Sequence, residues 1–258
     1  MKSFVRKLVT VGLVSGAILA SSLGYALQAL ALTQEQILQK LNQVPVFTFA
    51  NPQGDILLGK GENNKKVAYL FISQQEAQKA VQEMSQKNPG QKLQVLPLPL
   101  GQMYKAVTEG KDKPDTPVLN LVPVDQQVKS AVTVLTQENP QQQVKDFPGV
   151  PLFFAIINQD KKEAYLTYQE GQQTVIPLFF EKESLQKLVE QFKKQKPELA
   201  SSIQMRVVSL EQMIGIFQKE NDQAVGYMEL IPSQESIQFI LNSQQQQPNK
   251  PSQPAPNK

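Results

Sequence analysis

The chain contains no histidine and no cysteine. Without cysteine it folds without disulfides, has no thiol nucleophile, and offers no residue for acylation of the bacterial lipoprotein kind. Without histidine it lacks the one side chain that ordinarily titrates near neutral pH, and with it the base of ordinary hydrolytic triads. Together the two absences remove the usual ligands of zinc, copper and iron. Neither a metal nor a cofactor is expected. Carboxylates, Lys, Ser and Tyr remain, but no motif organises them, so an enzyme is not expected either. An excess of charge of one sign is missing as well. The chain has 26 basic and 23 acidic residues, and the net +3 equals the contribution of Lys2, Arg6 and Lys7 near the N-terminus. The rest of the chain balances to zero and has no general reason to coat nucleic acid or an anionic membrane.

What is there begins with a leader. Lys2, Arg6 and Lys7 form a basic start, Leu8 to Tyr25 is apolar apart from small residues, and Ala29-Leu30-Ala31 fits the small-x-small cleavage pattern. An uncleaved anchor is the competing reading. Gly12, Ser15, Gly16, Ser21, Ser22 and Gly24 interrupt the apolar run, so residues 1–31 read as an export signal, leaving no membrane span in the mature chain.

The body of the chain states one pattern twice. VAYLFISQQEAQKAV from Val67 and VIPLFFEKESLQKLV from Val175 each pass from an apolar strand into an amphipathic helix. Val67 to Ile72 is an almost unbroken apolar run, as in a strand covered on both faces. Ser73 followed by Glu76 has the form of a capping box. Ala77, Ala80, Val81 and Met84 then fall on one helical face, as do Leu185, Leu188, Val189 and Phe192 in the second copy. Around these units the rest also recurs. V-P-x-F opens a strand at Val44 and at Val150, and turns follow at Asn51-Pro52-Gln53-Gly54 and at Asn158-Gln159-Asp160. Second strands lie around Ile56-Leu57-Leu58 and around Ala164-Tyr165-Leu166. LQVLPLPLGQM matches QMRVVSLEQM, and LVPVDQQVKSAV matches LIPSQESIQFIL. Pro97 and Pro99 remove ladder donors, which marks that strand as an edge or as only partly paired.

The fold class that follows is α+β: an internally duplicated unit with mixed sheet layers covered by helices and a pseudo-twofold arrangement of the halves. The boundaries are 32–140 for the first unit and 141–242 for the second, the two forming one compact domain. Residues 243–258, SQQQQPNKPSQPAPNK, lack apolar periodicity and read as a disordered tail, either inert or a tether.

These units, the V-P-x-F strand and the Gln-Met pair after the third strand resemble the Tic twenty-two family, the soluble intermembrane-space component of the chloroplast import machinery and its cyanobacterial relatives. The resemblance spans about Leu32 to Leu241. It implies a non-enzymatic, chaperone-like carrier (a holdase) with apolar grooves on its two sides, binding unfolded or outer-membrane precursor polypeptides in the periplasm and supporting outer-membrane biogenesis. The thylakoid lumen is the second address. The alternative function is a scaffold docking the envelope translocation or outer-membrane assembly machinery.

A groove needs apolar surface left uncovered and adaptable side chains. The candidates are Leu98, Leu100, Met103 and Tyr104 in the first copy and Val208, Leu210, Met213 and Phe217 in the second, with a place in the core as the competing reading. Gly59-Lys60-Gly61 lacks the rest of a phosphate loop and reads as a turn. Asp112 and Asp115 read as a solvated loop rather than a calcium site.

Overall fold

The computed structural model describes residues 31–245, apart from 112, 142–143, 160–161 and 221. The leader and most of the tail therefore lie outside the described residues. Helix α1 (Gln34–Leu41) leads into β1 (Pro45–Ala50), the short β2 (Gly59–Lys60), β3 (Lys66–Phe71), α2 (Gln74–Lys87), β4 (Gln94–Pro99), α3 (Leu100–Glu109), β5 (Val118–Val122) and α4 (Asp125–Glu138). The second run is β6 (Pro151–Gln159), β7 (Lys162–Tyr165), β8 (Tyr168–Glu170), β9 (Gln173–Phe179), α5 (Lys182–Gln195), β10 (Ile203–Ser209), α6 (Leu210–Lys219), α7 (Ala224–Tyr227), β11 (Met228–Ile231) and α8 (Gln234–Gln245). Helix α8 thus continues through 243–245, where the sequence reads as tail.

Each run builds one sheet, and the two sheets have the same plan. β4 pairs antiparallel with β1, β1 antiparallel with β3, and β3 parallel with β5. β10 pairs antiparallel with β6, β6 antiparallel with β9, and β9 parallel with β11. The equivalence reaches single hydrogen bonds. Leu100 N–H donates to Val44 O at 2.8 Å, and Leu210 N–H to Val150 O at 2.8 Å. Ile72 N–H donates to Val122 O at 3.2 Å, and Phe180 N–H to Ile231 O at 3.2 Å. β4 ends its sheet. Pro97 and Pro99 alternate with the residues that bond β1, so the missing N–H groups fall on the open edge, which discourages further pairing there.

Strand alternation divides the core. Val46, Leu70 and Ile72 of the first sheet share one cluster with Leu152, Ile176 and Leu178 of the second, together with α1, α3 and α6. The opposite faces form two outer cores. Phe47, Phe49 and Phe71 lie under α2, and Phe153, Ala155 and Ile157 lie under α4 and α5.

The closing helices are exchanged. Helix α4 belongs to the first run, yet Ala131 and Val134 are buried in the outer core of the second sheet. Helix α8 belongs to the second run, yet its Phe239 ring meets Phe47 edge-on at 5.2 Å and Ser236 Oγ donates to Ile72 O at 3.3 Å. The N-termini of four helices meet where the exchange occurs. Glu76 on α2 accepts the N–H of Asp125, which opens α4. Gln127 Oε1 on α4 accepts the N–H of Lys182 on α5 at 3.0 Å. Glu181, before α5, accepts the N–H of Gln234 on α8 at 3.2 Å. Glu235 on α8 accepts the N–H of Gln75 on α2 at 3.0 Å and completes the cycle. Each helix start has orphan donors and a partial positive charge, and here each is answered by the next helix in the ring. The capping box expected at Ser73 is only half made. Ser73 Oγ accepts from Glu76 N–H at 3.4 Å, but the Glu76 side chain turns to α4 instead of returning to its own cap.

Candidate functional site

Five of the eight residues proposed for a groove are core. Leu100 and Met103 on α3, and Leu210, Met213 and Phe217 on α6, are buried in the central cluster. Leu98, Tyr104 and Val208 are partly buried against the same cluster. The physical reason is the abrupt turn from β4 into α3 and from β10 into α6. Leaving the strand with no linker lays each helix back over the inner face of its sheet. The i, i+3, i+7 stripe that looks available in sequence is the stripe that faces inward. Ser209 and Gln212 fix the start of α6 with a reciprocal capping box. Tyr104 joins the two helices as acceptor of Gln218 Nε2–H at 2.5 Å, and burial raises its pKa.

The open apolar surface lies on the outside of the first sheet. A cleft of about 390 Å³ has Phe49, Tyr69 and Phe71 as its floor. Leu57, Leu58 and Gly59 form one wall and Ala80 and Met84 of α2 the other, with Glu83, Lys87 and Gln91 at the rim. Gly59 is placed here by packing and not by phosphate chemistry: a Cβ on it would sit 2.6 Å from Tyr69 Cε2. Leu58 is 41% exposed, a large apolar side chain left to water.

Why the cleft exists follows from the repeat itself. Helices α2 and α5 have equal length and present equivalent faces. Leu185, Leu188, Val189 and Phe192 are all buried on α5, whereas Ala77 alone is buried on α2 and Ala80, Val81 and Met84 remain half-buried. Leu57 and Leu166 are also equivalent, since Leu57 N–H donates to Phe49 O and Leu166 N–H to Ala155 O. Leu166 is buried and Leu57 is not. Two alanines where the other half has leucines, and Met84 where it has Phe192, remove the volume that would close the surface. The signal was present in sequence as a difference in side-chain size between the aligned helices.

Asp115 pairs with Lys66 at 2.7 Å on the surface, while Asp112 lies outside the described residues. Among the described residues no group of His, Cys, Asp or Glu could hold a metal ion. No helix of the described residues is long and apolar enough to cross a membrane.

The model of the Tic22-like family matches residues 13–242. The chain belongs to the Tic22-like family. Among solved structures it resembles Anabaena Tic22, described as a protein of protein transport, at TM-score 0.70 and 27% identity over 88% of this chain and 100% of that one. Tic22 from Plasmodium falciparum shares the fold at TM-score 0.61 and 21% identity, covering 81% of this chain and 98% of its own. No curated protein matches the chain.

Proposed function

We propose that this Tic22-like protein is a non-enzymatic carrier of unfolded or precursor polypeptides in the periplasm, with the cleft beside α2 as the surface that holds them. The observation that carries this reading is the asymmetry of the halves: α5 is sealed onto its sheet, whereas beside α2 Leu58 is exposed and Leu57, Tyr69, Ala80 and Met84 stay half-buried around a cleft. The protein-transport description of Anabaena Tic22 and the shared family point the same way. The cleft offers contact area and little else, which suits sequence-tolerant binding of apolar side chains. Burying one Leu or Phe contributes about 1.5–3 kcal/mol, less than the roughly 4 kcal/mol of a millimolar complex. A client would therefore be held by several weak contacts and released readily, as a carrier requires. The periplasmic address rests on the leader at residues 1–31.

The test rebuilds the closed half in the open one. Ala80→Leu with Met84→Phe puts two of the three larger side chains of α5 onto α2 and leaves the already buried Ala77 unchanged. The purified protein should delay aggregation of a denatured outer-membrane polypeptide, followed by light scattering, and the filled variant should fold but no longer delay it. Equal protection by both proteins would remove the cleft from the mechanism. Loss of envelope complexes on deleting residues 246–258, with protection intact, would favour the scaffold instead.

A further inference from the structure

In a chain without cysteine, methionine carries all the oxidisable sulfur. Met103, Met213 and Met228 are buried in the central core, and Met205 packs against the outer core of the second sheet. Met205 is half-buried, as Met84 is, but Met84 alone of the described methionines lines the cleft. It is half-buried on the wall of the cleft, where the equivalent position in the other half holds the fully buried Phe192. We propose that Met84 is a modification site for peroxide, and that its conversion to the sulfoxide weakens the hold of the cleft on apolar ligands.

The chemistry needs only a hydroperoxide as co-reactant. The thioether sulfur attacks one peroxide oxygen, an S–O bond forms and the O–O bond breaks. The departing hydroxide or alkoxide takes the proton from the new S–OH group and leaves as water or alcohol. Sulfur is oxidised by two electrons and the peroxide is reduced by two. Reactivity follows access, and access separates Met84 from Met103, Met213 and Met228, while half-buried Met205 lies away from the cleft and its oxidation would leave the cleft unchanged. The consequence follows from place. A sulfoxide is polar and a strong acceptor, while the walls beside it are Leu57, Leu58 and Ala80 and the floor is aromatic. An apolar ligand would have to desolvate that oxygen without offering it a donor, which is unfavourable. The polypeptide consequence rests on the carrier reading; the modification and its effect on a small apolar probe do not.

The experiment treats the full chain with increasing hydrogen peroxide and maps oxidised methionines by peptide mass. In parallel it titrates anilinonaphthalene sulfonate, counting the signal that Ala80→Leu with Met84→Phe abolishes. Met84 should oxidise roughly tenfold faster than Met103, Met213 or Met228. Dye affinity should fall roughly tenfold in step with it, as a desolvated sulfoxide would require. Met84→Leu, close in volume, should keep its dye affinity through the same treatment. Oxidation of a core methionine as fast as Met84 would overturn the proposal, and so would full oxidation of Met84 with dye affinity intact. Loss of dye binding with undiminished aggregation protection would support the modification site and remove only the cleft as the surface that holds clients.

Discussion

Helices α2 and α5 are equal in length, start from equivalent strands and cover equivalent faces, yet one closes its sheet and the other does not. Backbone architecture is therefore insufficient to decide where a surface is open. The difference lies in side-chain volume at three matched positions, Ala77 against Leu185, Ala80 against Leu188, and Met84 against Phe192. A half built for burial and a half built with a vacancy can share one plan, because packing is felt at the level of single methylenes.

The sharpest way to break this comparison is to truncate the matched pair at its largest member. Phe192→Ala should cost about 3–5 kcal/mol, because its ring is fully buried and leaves a cavity. Met84→Ala should cost under about 1 kcal/mol, because its side chain already borders an open cleft and leaves no sealed void. Urea unfolding of both variants measures the difference. Comparable losses would mean that α2 is packed as tightly as α5, and the contrast between the halves would disappear. Leu188→Ala follows at about 2–5 kcal/mol. Its mirror, Ala80→Leu, should alter stability by less than about 1.5 kcal/mol in either direction, since the added volume enters space already open.

Much of the architecture was legible because strands and helices announce themselves locally. The run from Val67 to Ile72, the stripe from Ala77 to Met84 and the prolines at 97 and 99 each carry their own period or their own missing donor. The exchange of α4 and α8 was not legible. The spacing of Val128, Ala131 and Val132 shows that a helix has an apolar face, and it is silent on which sheet that face will meet. Five of the eight groove candidates are core for the same reason. Met103 and Met213 occupy a stripe that reads alike whether it faces water or a core, and only the direct turn from strand into helix sends it inward. The true opening was encoded as small residues in an otherwise matched alignment, a signal that a search for large apolar residues passes over.

The exchanged helices extend the comparison. Helix α4 is held by buried Ala131 and Val134, and near its end by Arg206, whose Nε meets Glu138 at 2.9 Å. Helix α8 is held by half-buried Phe239 and by the polar contacts of Ser236 and Glu235. Among the described side chains α8 has none of its apolar residues fully buried, so it should open more often. Its amides should exchange roughly tenfold faster than those of α4 in a native-state hydrogen-exchange experiment. Equal protection would show that the ring of helix starts, rather than burial, governs both. Glu235→Ala removes the acceptor for Gln75 N–H and should cost about 1 kcal/mol, the ordinary value of a cap, measured by thermal unfolding.

The smallest expected effect tests the ring through its charge. Glu76 lies where α2, α4 and α8 meet, and its carboxyl is raised above the ordinary range, first by burial, with Asp125 and Glu235 adding to the rise. A raised carboxyl binds its proton more tightly in the folded chain than in the unfolded one. Its contribution is therefore favourable below the ordinary carboxylate pKa and is lost as pH climbs through the raised value. Glu76→Gln keeps an acceptor for the Asp125 N–H and removes the charge. The variant should match the wild type at acid pH and exceed it above that window by about 1 °C in Tm, small because much of the group is solvated and screened. A variant less stable than the wild type at neutral pH would mean that the ionised carboxylate holds α4 more strongly than burial opposes it, and that the helix exchange is fastened by charge.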